Sequence, residues 1–423
     1  MCFSGLKTQS RRRTLFSPQC SVFILESENC LNSKVNYLCE SITLFTMGSP
    51  ISRLDAQAEV PEQAFDDRII DLDFHVNPLE DDLLSYVEDD LVKDKLTTEF
   101  GPTPIMGKWD AAYGIKEGNE GLFTQGRAEY AEDVREACAK FAIDDPIVNA
   151  GINNLPLQHH PVLKNGVVQA ANDYMLDNFA DEGLYTSMLV PKWDPAYAVE
   201  EIERVASENN IVAAYSWFGP KTPWGSEQFD PIFEALVEHD LPLLLHGSLA
   251  YWPQHSYIGD EMLTWTEVLG FDWPIHAMVN VVNMIMRGVF DRYPELNVVL
   301  QEGGHWWVPF LRYRMDEFYE MHPDDVKITP RKHETGDEYL ERRPSEYLRD
   351  NIYLTTQPLA LPRGSGQARN LLDLSMAEDM FLYSSDWPHQ TLDPPTWFYT
   401  SRAFDEELRG AILHENAEEI LHI

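Results

Sequence analysis

The sequence predicts an α/β fold, a (β/α)8 TIM barrel with a helical or irregular insertion after its first strand. Three observations carry that expectation. Eight short, nearly continuous apolar runs recur along the chain, as parallel strands buried on both faces do. Amphipathic stretches with helical spacing separate most of them. Metal-type side chains stand at the ends of the first, fifth and eighth runs, and strand ends are where such barrels build their sites.

Taken in order, the strands are expected at residues 69–76, 147–155, 184–190, 211–217, 241–246, 297–302, 351–356 and 381–386. Helices are expected between them, for example at 196–209, 230–239 and 275–290. The last is followed by Asp291-Arg292-Tyr293-Pro294, and a proline there fits a helix stop ahead of the next strand. Residues 80–135 are polar and aromatic and read as an insertion between the first two strands, a lid or a small helical subdomain. A doubly wound open sheet is the competing fold, but no glycine-rich phosphate loop follows the first strand.

The composition is that of a globular chain, 44% hydrophobic and 24% charged. No apolar run approaches the roughly 18 residues of a membrane helix, so a membrane is not an expected partner. The net charge of −38 disfavours nucleic acid, because phosphate recognition needs Lys and Arg. Acidity of this degree reads as adaptation to high salt, where counterions screen self-repulsion; a merely acidic cytoplasmic protein is the plainer alternative. Residues 1–46 differ in kind. They hold four of the five cysteines, with five basic and three acidic residues, leaving 27 basic against 67 acidic side chains in 47–423. The segment is expected to be non-native or disordered, with Met47 as the start of a cytoplasmic protein. A twin-arginine signal around Arg11-Arg12-Arg13 is the rival, weakened by the short apolar stretch that ends at Glu26. Beyond this segment only Cys138 remains, which excludes a disulfide framework or a thiolate metal site.

Asp73 and His75 close the first run at positions i and i+2, which face the same side of a strand. They make half of a metal site. His246 at the end of the fifth run and Asp386 at the end of the eighth supply the other half. Three firm protein ligands and an open position form the catalytic arrangement; Asp73, His75 and His246 are the firm ones, with Asp386 a fourth ligand or the handler of a proton. Two carboxylates and two imidazoles suit one divalent ion, with zinc first and manganese or iron(II) as alternatives. Glu302, on the same rim, is a second acid/base candidate, and a salt bridge to Arg312 or Arg314 is its competing role. His305, His389, Trp306 and Trp387 are expected to contact substrate or to support the ligands, with packing beside one another as the alternative. Trp217 and Trp252 also follow strand ends, so aromatic walls suited to a flat or apolar small molecule are expected. His159-His160 reads as structural, and His276 as lining or capping the pocket.

These motifs resemble the amidohydrolase superfamily, in its branch of aminocarboxymuconate-semialdehyde decarboxylase and relatives. The likeness runs from about residue 68 to the C-terminus. It rests on Asp71-Leu-Asp-Phe-His-Val-Asn-Pro78, Leu241-Pro-Leu-Leu-Leu-His-Gly247, the stretch from Gln301 to Asp316, Ser384-Ser-Asp-Trp-Pro-His389 and the closing stretch from Ile412 to Leu421. Asp73 stands where the superfamily usually has the first His of a His-x-His pair, as in many decarboxylating relatives. The fourth strand lacks the lysine that is carbamylated in two-metal members, which implies one ion. Glu302 and His305 look exchanged relative to the His and Glu of many decarboxylating relatives.

The resemblance implies non-oxidative decarboxylation of a small carboxylic acid, aromatic acids included, and a homodimer. Hydrolysis of an ester, lactone or amide is equally consistent with the motifs, and a non-catalytic binding scaffold is a third reading. If the acidity is a salt adaptation, the unfolding temperature rises between dilute buffer and molar KCl; a flat curve would refute it.

Overall fold

The computed structural model describes residues 65–76, 80–97, 128–152, 155, 160–218, 222–247, 267–324, 340–389 and 391–423. Eight strands form one sheet in sequence order: β1 (Ile70–Val76), β2 (Asp145–Ala150), β3 (Thr186–Leu189), β4 (Ile211–Trp217), β5 (Leu243–His246), β6 (Val298–Gln301), β7 (Ile352–Thr355) and β8 (Phe381–Leu382). Every neighbouring pair is parallel. The ring closes where Leu72 N–H donates to Tyr383 C=O at 3.0 Å and His75 N–H to Trp387 C=O at 2.8 Å. Phe74 bridges in parallel to Trp387. The eight-stranded barrel expected from the sequence is therefore the fold. All seven residues of β1 are buried, and so are all of β4, because helices cover the outside while side chains fill the inside.

The outer helices follow from local sequence. Asp194 caps the helix Pro195–Val205 by accepting from Tyr197 N–H at 3.3 Å, and Pro195 stands where its missing N–H costs nothing. Ala198, Ile202 and Val205 form its buried stripe; burying Ile202 stabilises by about 1.5–3 kcal/mol. The single helix expected at 275–290 is two: Trp273–Met286 ends before Gly288, whose φ of 63° redirects the chain into Val289–Arg292. A glycine reaches that left-handed conformation without the steric cost other residues meet.

Strand ends depart from the expected bounds in one place that matters. β8 stops at Leu382 instead of running to Asp386. The backbone groups beyond it have other partners: Tyr383 N–H goes to Ile412 C=O at 2.9 Å, Ser384 N–H to Thr356 Oγ1 at 3.1 Å and Ser385 N–H to Asp71 Oδ1 at 2.9 Å. Asp386 then sits at φ 59°, which no strand accommodates. Of the expected insertion, the helices Glu80–Ser85 and Asp90–Thr97 pack against the helix Pro161–Met175, and residues 98–127 lie outside the described residues, as does the whole 1–46 segment. Among the described residues no helix is long and apolar enough to cross a membrane.

A methyl group at Gly225 would overlap the Asn283 carbonyl, whereas one at Gly366 meets nothing within 4 Å. Gly225→Ala is expected to cost about 1–3 kcal/mol in urea unfolding. Gly366→Ala, early in the helix Ser365–Leu374, is expected to shift stability by less than about 1 kcal/mol, upward. Equal effects would contradict this packing.

Candidate metal centre

Four side chains from β1, β5 and the turn after β8 meet inside the C-terminal end of the barrel. His75 Nε2 lies 3.0 Å from Asp73 Oδ1 and 3.5 Å from Asp386 Oδ1. His246 Nε2 lies 3.7 Å from Asp73 Oδ2. Asp73, His75, His246 and Asp386 are all buried. Asp73, His75 and His246 each present a ligand-type atom within 4.8 Å of the others, as do His75, Asp386 and His389. Asp73, His75 and His246 thus come together as one group, and Asp386 joins His75 and His389 in a second.

The donor set fits a cation. Asp73 Oδ2 and His246 Nε2 have no hydrogen-bond partner, and an unsatisfied buried polar group costs about 1–3 kcal/mol. A divalent ion between them would satisfy both and take the place of the His75 proton beside Asp73. The surrounding amides fix the carboxylates for that role. Gln301 Nε2 donates to Asp73 Oδ1 at 3.2 Å and to Leu72 C=O at 2.6 Å. Asn149 Nδ2 reaches the Leu72 carbonyl at 3.1 Å, and Ser187 Oγ holds Asn149 Oδ1 at 2.6 Å. Asp386 Oδ2 accepts from Gln357 Nε2 at 3.0 Å and from the Thr391 hydroxyl, while its Oδ1 pairs with His389 Nδ1.

The electrostatics separate the groups. Burial depresses His246 to about 4, only partly opposed by Asp73, so this ring is neutral and ready to bind a metal. Burial also works against protonation of His75, but Asp73 and Asp386 outweigh it and raise that ring to about 10. Glu302 is pushed well above the usual carboxylate range by burial and by the charges of Asp386 and Asp73. Asp386 resists the same burial because His389 and His75 hold it well below that range. Burial thus favours the neutral form of Glu302, while the two imidazoles favour the ionised form of Asp386. Both backbones are in the left-handed region, Glu302 at φ 53° and Asp386 at 59°, a strain of the kind found at functional sites.

Glu302 does not reach for Arg312 or Arg314. Its Oε2 lies 3.2 Å from His246 Nε2, and Arg314 pairs with Glu317 at 2.6 Å. Glu302, His305, Trp306, Trp273, Gln357 and Pro358 are among the walls of a cavity of about 420 Å³. His305 is buried and neutral, lowered to about 4 by desolvation, and both its ring nitrogens lack a partner. Trp306 is 54% exposed and donates to Ala360 C=O. Trp387 is placed differently: it stacks on Phe74 at 4.7 Å and 13° and serves barrel closure. Trp217 is buried beside Trp193. His276 is buried on its own helix with Nδ1 2.9 Å from Asp272 C=O. His160 precedes the helix Pro161–Met175, and His159 and Trp252 lie outside the described residues.

A family model described as amidohydrolase matches residues 70–423. The chain belongs to the amidohydrolase family. This amidohydrolase is 26% identical over 270 residues to gamma-resorcylate decarboxylase of Rhizobium sp. (strain MTP-10005), covering 61% of this chain and 76% of the relative. Its fold matches 5-carboxyvanillate decarboxylase LigW of Sphingomonas paucimobilis, with TM-score 0.57 and 20% identity over 84% of this chain and 99% of that one. It also matches 5-carboxyvanillate decarboxylase of Novosphingobium aromaticivorans complexed with manganese and 4-hydroxy-3-methoxy-5-nitrobenzoic acid, with TM-score 0.63 and 18% identity over 86% and 99% of the two chains.

Because His75 is held protonated in the metal-free amidohydrolase, a bound cation has to displace that proton. Affinity therefore falls as pH is lowered. Calorimetric titration of the apoprotein in buffers of different ionisation enthalpy is expected to show release of about one proton at neutral pH. Binding without proton release would contradict the assignment of His75.

Proposed function

We propose that this amidohydrolase is a metal-dependent, non-oxidative decarboxylase of a hydroxylated aromatic acid. The observation that carries the reading is the convergence of Asp73, His75, His246 and Asp386 beside a cavity walled by Trp273, Trp306 and Pro358. That wall suits a flat ring, and the named activities of the relatives support the same chemistry. The ligand types admit zinc, manganese or iron(II) alike, and manganese is present in a structural neighbour. When bound, the cation would polarise substrate oxygens and neutralise charge in the site.

The residues divide the remaining work. Asp73, His75 and His246 hold the ion, and Asp386 completes the set, fixed by Gln357, Thr391 and His389. Glu302 lines the cavity and burial favours its protonated form, which suits it to the role of general acid. The bond between ring carbon and carboxylate breaks with its electron pair left on the ring carbon. That carbon takes the Glu302 proton, neutral CO2 departs, and Glu302 regains a proton from solvent. The aromatic walls keep water away from the ring during the exchange.

Metal-loaded protein incubated with 2,6-dihydroxybenzoate and 5-carboxyvanillate is expected to release CO2 and the corresponding phenol, with no oxygen from labelled water in the phenol. Label in the phenol would indicate hydrolysis and overturn the reading. An acid that must be protonated gives a rate that falls as pH rises through its pKa. Glu302→Gln is expected to remove that alkaline limb and to lower kcat roughly 10²- to 10⁴-fold, with metal content unchanged. An unchanged profile would reassign the proton donor.

A further inference from the structure

The cavity wall holds an open acceptor that the chemistry above leaves unused. Gln357 stands just past the end of β7, is 1% exposed, and lines the cavity with Glu302, Pro358 and Thr391. Its Nε2 donates to Asp386 Oδ2 at 3.0 Å and to Thr391 C=O at 3.2 Å. These two acceptors fix which way the amide faces, because a reversed amide would set its oxygen against both of them. Oε1 is left on the other side with no hydrogen-bond partner. A neutral Glu302 has Asp386 as its acceptor, so its proton does not fill Oε1. Buried polar atoms normally find a partner. This one lies on a cavity wall, in a side chain bonded directly to a candidate metal ligand, and it points to a bound molecule.

An amide oxygen can only accept, so it serves no carboxylate. It calls for an O–H, and the acid of the proposed reaction carries one on its ring. The other open groups of the wall divide differently. Trp273 Nε1 also has no partner, but an indole N–H only donates and suits the carboxylate. Both nitrogens of His305 are open as well. That ring packs edge-on to Phe381 at 5.3 Å, and burial alone lowers its basicity, whereas the Gln357 amide touches Asp386 itself. We propose that Gln357 Oε1 accepts a hydrogen bond from a ring hydroxyl of the bound acid and so selects hydroxylated over unsubstituted rings, an assignment that rests on the decarboxylase reading. The acceptor is uncharged and already held by two bonds at Nε2, so little ordering is lost when it engages the hydroxyl. An unsubstituted ring would cover Oε1 and leave it unpaired, which is how a polar pocket rejects a ligand that lacks the matching group.

Binding is read in metal-loaded protein by rapid-mixing quenching of tryptophan fluorescence, before turnover, with benzoate and with 2-, 3- and 4-hydroxybenzoate. The wild type is expected to bind at least one hydroxybenzoate roughly tenfold more tightly than benzoate. Gln357→Met, which keeps the length of the side chain without its amide, is expected to lose most of that preference, whatever affinity it loses for all four acids. A preference kept at its wild-type size would reduce Gln357 to a support of Asp386. A preference lost in His305→Leu but kept in Gln357→Met would move the hydroxyl to His305. Either result would overturn the assignment while leaving the decarboxylase reading intact. So would a wild type that binds all four acids equally, a result that needs no variant to fold. A wild type that binds none of them would overturn both.

Discussion

The structure turns on a problem of charge. Asp73 and Asp386 are buried at the barrel's C-terminal end with Glu302 beside them, and carboxylates in a desolvated space raise one another's pKa. The protein answers in two ways. It sets His75 between Asp73 and Asp386, and it leaves Glu302 to take a proton. Neither device satisfies the facing atoms Asp73 Oδ2 and His246 Nε2. A divalent cation does, and the same ion would be the electrophile that the chemistry needs. The same cation would thus serve both stability and function.

The barrel makes such a cluster cheap to assemble. Residues distant in sequence become neighbours when parallel strands end on the same rim. β1 contributes two ligands because a strand shows alternate residues to one side. Its register is held by β2 and by the Tyr383 and Trp387 carbonyls, and Trp387 stacked on Phe74 covers the seam. Gln301 of β6 and Asn149 of β2 both donate to Asp73 Oδ1. Displacing any of these strands would move a ligand, so the closing hydrogen bonds of the barrel are also supports of the metal centre.

Much of this was legible in the chain. Asp73 and His75 could be read because two metal-type residues at i and i+2 on an apolar strand have few other uses, and His246 because it ends an apolar run. Asp386 was expected at the end of a strand that stops four residues earlier; its left-handed backbone follows Ser384 and Ser385, whose N–H groups go to Thr356 and Asp71. The amides that clamp the carboxylates were not legible. Gln301, Asn149, Gln357 and Thr391 are common residue types whose role depends on which strands are adjacent. Trp387 belonged to a motif near the site, yet its ring turned to Phe74, a choice made by barrel closure.

The central claim is that one divalent ion is held by Asp73, His75, His246 and Asp386. X-ray absorption spectroscopy of metal-loaded protein, repeated on His246→Ala, tests it most directly. The account predicts one ion per chain with nitrogen and oxygen neighbours, two imidazoles in its first shell, and loss of one imidazole or of the ion itself in the variant. A spectrum without imidazole scattering, or one unchanged by the substitution, would contradict it.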